Sequence, residues 1–237
     1  MRDAFKHSIL ALLIVIVVAA CSTPQPTPTG DVRRQIAGAY GSESFHRVEV
    51  IEYTFNVQIG DKHIKRSWIW WPQVEQVEFK GGADQESTLY NRLELGQNPP
   101  QDIKQVDAWF INDNYWLLFP FHLAWDQQAT VEDTGHRDLP MGQGTAKCVV
   151  VSYPRTGGYT PGDVYELFVD ENHMLTQWVY RRGGSATPTR ITTWEEHRRL
   201  GPLVVSLNHH GDDGNFRVWF TDVAIKLHGS FEKIKAE

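Results

Sequence analysis

The chain has 237 residues, 41% of them hydrophobic and 22% charged, with a formal net charge of -6. These figures describe one globular domain and exclude collagen-like, wholly disordered and polytopic membrane classes. With 23 Lys and Arg against 29 Asp and Glu, the chain lacks the concentrated positive field that phosphates require, so nucleic acid is excluded as a partner.

Residues 1–20 start basic with Arg2 and Lys6, continue through an unbroken apolar run at 9–20, and end in Val18-Ala19-Ala20 before Cys21. That is the layout of a secretory signal. The run has 12 residues, short of the roughly 20 that a permanent membrane helix needs. The stretch Val18-Ala19-Ala20-Cys21 resembles the lipobox of bacterial lipoproteins. The resemblance implies cleavage before Cys21, diacylation of its sulfur and acylation of the new amino terminus. Ser22 is not the aspartate linked to inner-membrane retention in enteric bacteria, so the implied site is the outer membrane, facing the periplasm. Residues 21–30 continue as a tether: STPQPTPTG, from Ser22 to Gly30, has three prolines and no large apolar side chain, and it extends without packing. Residues 31–237 are then a single folded domain.

That domain begins with a short helix capped by Asp31, with Val32, Ile36 and Tyr40 on one face. Residues 51–59 alternate, with Ile51, Tyr53, Phe55, Val57 and Ile59 on one side, as a half-buried strand does. Gly60-Asp61 turns the chain into a strand at 64–71, Pro72 ends it, and 74–79 supplies a third strand before Gly81-Gly82. Residues 84–108, broken at Asn98-Pro99-Pro100, suit short helices between strands. The apolar run YWLLF at 115–119 reads as a strand leading into a bend at Pro120.

Gly142 and Gly144 mark a turn before a strand at 147–153, in which Cys148 is a buried structural thiol without an intramolecular partner. A glycine- and proline-rich loop at 154–162 precedes the clearest hairpin, 163–181, whose tip is Asp170-Glu171-Asn172-His173. Strands follow near 189–198, 203–207 and 216–227, the last two joined by a turn-rich loop at 209–215. The expected class is mainly β (α+β), a large curved antiparallel sheet of about nine to eleven strands. Trp68-Ile69-Trp70-Trp71 puts aromatics on both faces of one strand, and Trp219 stands between Val218 and Phe220. Neither face is then wholly solvated, which favours an enclosed or helix-covered concavity.

The lipobox and tether, with YELFVD at 165–170, LTQWVY at 175–180, ITTW at 191–194, GPLVV at 201–205 and FTDV at 220–223, resemble the LolA/LolB-like half-barrel superfamily of the periplasmic lipoprotein carrier and its outer-membrane receptor. The match covers mainly residues 163–227, with weaker support at 46–79. It implies an incomplete antiparallel barrel whose concave apolar face is covered by short helices and holds acyl chains. Residues 113–126 and 157–163 depart from that pattern and point to a distinct branch, so lipoprotein sorting itself is not carried over.

Catalytic signatures do not assemble. Glu195-Glu196-His197 lacks the upstream histidine of a zinc helix, and Gly183-Gly184-Ser185-Ala186-Thr187 does not end in the glycine of a nucleophile elbow. Gly142-Gln143-Gly144 has no third glycine and no helix after it. His209-His210-Gly211-Asp212-Asp213 is a possible metal cluster but reads more readily as a solvated hairpin. His122 and Asp126, four apart, meet only on a helix, as a plain hydrogen bond.

The expectation is therefore no enzyme, no metal and no cofactor. Trp70, Trp116, Phe119, Trp178 and Trp219 are the candidate lining of an apolar pocket, against core packing for any one of them and stacking on sugars as a rival use. The expected function is that of a membrane-anchored periplasmic lipoprotein binding or carrying an apolar ligand such as a lipid or acyl chain. The alternative is a non-catalytic envelope lipoprotein serving as a platform for a glycan or for a protein partner that the sequence does not specify.

Overall fold

Residues 29–81, 86–96 and 98–236 are described in the computed structural model; Cys21, the signal and most of the tether lie outside the described residues. Helix α1 (Thr29–Ala39) buries Val32, Ile36 and Ala37. It begins ahead of Asp31, which therefore lies within the first turn and is not its cap. Gly41, at φ +81°, then passes so close to the chain at Pro202 that a Cβ would stand 2.2 Å from the Pro202 carbonyl oxygen. Only glycine fits there.

The alternation at 51–59 lies in β1 (Val48–Ile59), followed by β2 (Lys62–Trp71), β3 (Gln76–Phe79) and β4 (Thr88–Asn91). The long helix α2 (Gln101–Trp125) comes next. After it run β5 (Thr130–Asp138), β6 (Thr145–Ser152), β7 (Val164–Val169), β8 (Leu175–Arg181), β9 (Arg190–Thr193), β10 (Glu195–Leu200), β11 (Leu203–His210), β12 (Phe216–Leu227) and β13 (Lys233–Lys235). Strands β4, β5 and β13 add to those expected. The stretch 189–198 is split at Trp194, whose N–H makes the last bond of the β8–β9 register, to the Thr176 carbonyl, before the chain passes to β11 as β10.

All pairings are antiparallel. One sheet runs β10-β11-β12-β1-β2-β3-β4, with β13 also on β12, and the other runs β5-β6-β7-β8-β9. A single bridge, Thr192 to Gly211, stitches the two. Tyr40 reinforces the seam: its hydroxyl accepts from the Leu175 N–H of β8 at 2.9 Å and is hydrogen-bonded to His197 Nε2 of β10 at 2.9 Å. Among the described residues no pairing joins β4 to β5, so the curved sheet stays open, an incomplete barrel.

Helix α2 crosses the concave side, and it corrects the reading of 115–119 as a strand. Val106, Phe110, Asp113, Leu117 and Phe121, spaced three and four apart, are all buried, which is the helical period. Two features hid it. Asp113 interrupts the apolar stripe, and Pro120 sits inside the helix, where it removes the N–H that would bond the Trp116 carbonyl. The backbone bends there, with Leu118 at φ -119°, ψ 18°. Phe110, Leu117, Leu118, Phe119 and Phe121 are at most 1% exposed, so the space under the middle of the helix is packed core.

Candidate functional site

Helix α2 is held to its surroundings by carboxylates on its buried side. Asp113 accepts from Arg66 Nε at 2.7 Å and Nη2 at 2.5 Å, from Trp68 Nε1 at 2.9 Å and from Asn112 Nδ2 at 3.0 Å. Burial pushes its carboxyl above the usual range, and the Arg66 bonds oppose that shift. One turn and a half earlier, Asp107 accepts from Tyr90 at 3.0 Å and Arg92 Nε at 2.9 Å on Oδ1, and from the Tyr159 hydroxyl at 2.5 Å on Oδ2.

Tyr159 belongs to the loop at 154–162, which arches from the end of β6 toward the helix. Gly157 and Gly158, both at positive φ, let the chain double back before it. The loop closes on itself through the Gly162 N–H to the Pro154 carbonyl at 2.7 Å. It divides the open side of the half-barrel into two clefts, and Ile111, Tyr115, Tyr159 and Thr160 face both.

The first cleft, about 720 Å³, lies between α2 and the inner faces of β1, β2, β7 and β8. Phe55, Val57, Ile64, Trp116, Trp178 and Phe216 are among its walls, with Arg66, Arg182, Arg190 and Asp163 as its charged members. Asp163 is occupied by the Tyr180 hydroxyl at 2.9 Å and the Gly183 N–H at 2.7 Å. Arg190 lies 4.4 Å over the Phe216 ring.

The second cleft, also about 720 Å³, lies between the C-terminal half of α2, the segment after β2 and the same loop. Phe45, Trp70 and Trp125 form one wall and Tyr115 and Tyr153 the other. Between them stands Asp126, whose Oδ2 accepts from Tyr153 at 2.7 Å, Tyr115 at 2.8 Å and His122 Nδ1 at 3.2 Å. Burial works against its charge, yet the bonds from His122, Tyr153 and Tyr115 outweigh burial and hold the carboxyl below its usual range.

His122 Nε2 lies 2.9 Å from the Asn114 side-chain oxygen. The Asn114 amide nitrogen and the Tyr53 hydroxyl beside it are both buried with no other hydrogen-bond partner among the described residues.

Of the residues singled out from the sequence, Trp116 and Trp178 meet edge to face at 4.7 Å and line the first cleft. Phe119, wholly buried, backs Trp178 at 5.2 Å and lines neither cleft. Trp70 lines the second. Trp219 is separated from all four: Val218 and Phe220 point into the core, so strand alternation turns Trp219 to the outer face, stacked on His63 at 5.0 Å with Arg217 over its ring.

The histidine loop is corrected as well. His209 and His210 belong to β11, and His209 is wholly buried rather than solvated, its Nδ1 3.3 Å from the Thr193 carbonyl and its ring 4.5 Å from Trp194. Burial pushes its pKa down to about 3. The sequence pattern carried the His122–Asp126 spacing but not Tyr153 or Tyr159, which come from 27 residues after Asp126 and 52 after Asp107.

No protein-family model and no curated protein sequence matches the chain. Solved structures do. A LolA superfamily protein from Nitrosomonas europaea superposes at TM-score 0.51 with 9% identity, over 84% of this chain and 94% of that one. A DUF1329 family protein from Desulfovibrio piger matches at 0.46 with 6% identity, over 86% and 95%. An outer membrane lipoprotein-sorting protein domain from Vibrio parahaemolyticus matches at 0.41 with 7% identity, over 83% and 95%. The likeness to the Nitrosomonas protein is one of fold, and the fold here is a LolA-like half-barrel, as the strand motifs imply.

Proposed function

We propose that the protein is a non-catalytic lipoprotein of the bacterial envelope, anchored through acylated Cys21 in the outer membrane with its folded domain toward the periplasm, and that it binds or carries an apolar ligand such as a lipid or acyl chain. The observation that carries this reading is the first cleft: about 720 Å³, within the size range of small-molecule sites, and walled by aliphatic and aromatic side chains. Each methylene buried there contributes about 0.8 kcal/mol, so ten reach about 8 kcal/mol before the cost of ordering the chain. Arg182 and Arg190 are among its lining and would pair with a carboxylate or phosphate head. With the core under α2 packed, the ligand would sit beside the helix and not beneath it.

Organic extraction of the purified full chain followed by mass spectrometry, with a titration of fluorescent fatty acid, tests the reading. Retained lipid or saturable uptake is expected; neither being found rejects it. Cys21→Ala is expected to leave the protein in the soluble periplasmic fraction or stalled with its signal, and normal membrane retention would show the anchor to lie elsewhere.

A further inference from the structure

The two clefts differ in charge. The second is lined by Glu75 and Asp126 and by a single guanidinium, Arg92, which is spent on Glu75 at 2.8 Å and on the buried Asp107 at 2.9 Å. Arg33, the next cation, binds the backbone carbonyls of Asp126 and Ala129 and not a carboxylate. Among the described residues Asp126 pairs with no lysine or arginine, and its one partner able to carry a positive charge is His122, at 3.2 Å. Its Oδ2 is filled by three donors, while among the described residues its Oδ1 takes no hydrogen bond.

Aromatic rings line the cleft around that carboxylate. Trp125, half-buried, packs edge-on to Phe45 at 4.7 Å, and Tyr115 and Tyr153 stand 6.2 Å apart opposite. The faces of such rings carry negative potential and attract cations, most strongly away from water. A carboxylate at the back of an aromatic cleft adds a full charge to that potential.

We infer that this second cleft is a binding site for an organic ammonium group, seated between the Trp125 and Tyr115–Tyr153 walls with its charge against Asp126 Oδ1. The site is distinct from the apolar cleft, which lies on the other side of Tyr159, and the inference does not depend on what occupies that one. Free small amines and ammonium-bearing lipid headgroups share this chemistry.

Titration calorimetry of the purified full chain with choline tests it, beside the uncharged isostere 3,3-dimethylbutan-1-ol. Saturable choline binding is expected, with the isostere and the Asp126→Asn variant each weaker by about tenfold, as loss of one charge-assisted contact predicts. Competition identifies the source: displacement of choline by lysophosphatidylcholine assigns the site to a lipid headgroup, and failure to displace it assigns the site to a free amine. Binding of the isostere as tight as choline, no choline binding, or binding of glucose with choline silent would each overturn the inference. The isostere comparison uses the unaltered protein, so it decides the matter even where Asp126→Asn impairs folding.

Discussion

The Tyr159 hydroxyl donates to Asp107 Oδ2 at 2.5 Å, and so ties the loop that divides the two clefts to the buried side of α2. The same carboxylate holds Tyr90 of β4 and Arg92, so loop, helix and edge strand converge on one residue. Tyr159 is 45% exposed and its phenol is pushed up to about 12, by burial first and then by its bond to Asp107. It is therefore a neutral donor throughout the physiological range. Tyr159→Phe removes the tether but leaves Asp107 two partners, so the expected loss of stability is about 1 kcal/mol. The sharper readout is hydrogen exchange, which should rise across 154–162 while β6 and β7 stay protected. Unchanged exchange in that loop would show that its own internal bonds suffice to hold it.

Asp113 and Arg66 make a stronger claim on stability. Asp113 is wholly buried and the Arg66 side chain only 11% exposed, so removing either partner strands a charge in a poorly solvated place. Asp113→Ala is expected to cost about 3–5 kcal/mol in urea unfolding, whereas the paired change Asp113→Leu with Arg66→Met should cost less than the sum of the two single changes. Additive costs would show that the two groups are coupled to water and not to each other.

These contacts explain how much of the fold can be read from residue order. The alternation at 51–59 and the hairpin at 163–181 needed only neighbours in sequence, and both stand as β1 and as β7 with β8. Helix α2 did not yield to the same reading because its buried side carries Asp107, Asp113, Asn114 and His122 among the apolar residues. Their partners, Tyr90, Arg66, Trp68 and Tyr159, come from strands and a loop far along the chain, so no local rule marks them as inward-facing. A five-residue apolar run such as 115–119 fits a buried strand as well as a buried helix. The outward turn of Trp219, by contrast, follows from parity once Val218 and Phe220 are taken as core.

His209 should give the unfolding profile a measurable acid limb. Burial keeps its imidazole neutral in the folded protein down to about pH 3, against an ordinary value of 6.5. The carbonyl of Trp116, freed by Pro120, favours the protonated ring without reaching hydrogen-bond geometry. The unfolded chain thus binds a proton as pH falls below about 6.5 while the folded chain does not, so this contribution is complete above that pH and declines toward about pH 3. The slope approaches about 1.4 kcal/mol per pH unit at its steepest. Urea midpoints for the parent chain should fall more between about pH 7 and about pH 5 than those of His209→Gln, which has no proton to gain. Parallel profiles would mean that His209 is protonated within the fold.

Ala108 offers a way to close the apolar cleft from the helix side. It is half-buried and lines that cleft but not the aromatic one. A tryptophan at this position projects into open space and not into packed core, so Ala108→Trp should change stability by less than about 1 kcal/mol. It fills volume that a ligand would need. Fatty-acid affinity is expected to fall by about tenfold or more, the equivalent of losing two buried methylenes, while choline heats stay as in the parent chain. Loss of both signals would mean that the two clefts act as one cavity beneath the Tyr159 loop. Retention of fatty-acid affinity in Ala108→Trp would place the apolar ligand away from this part of the helix.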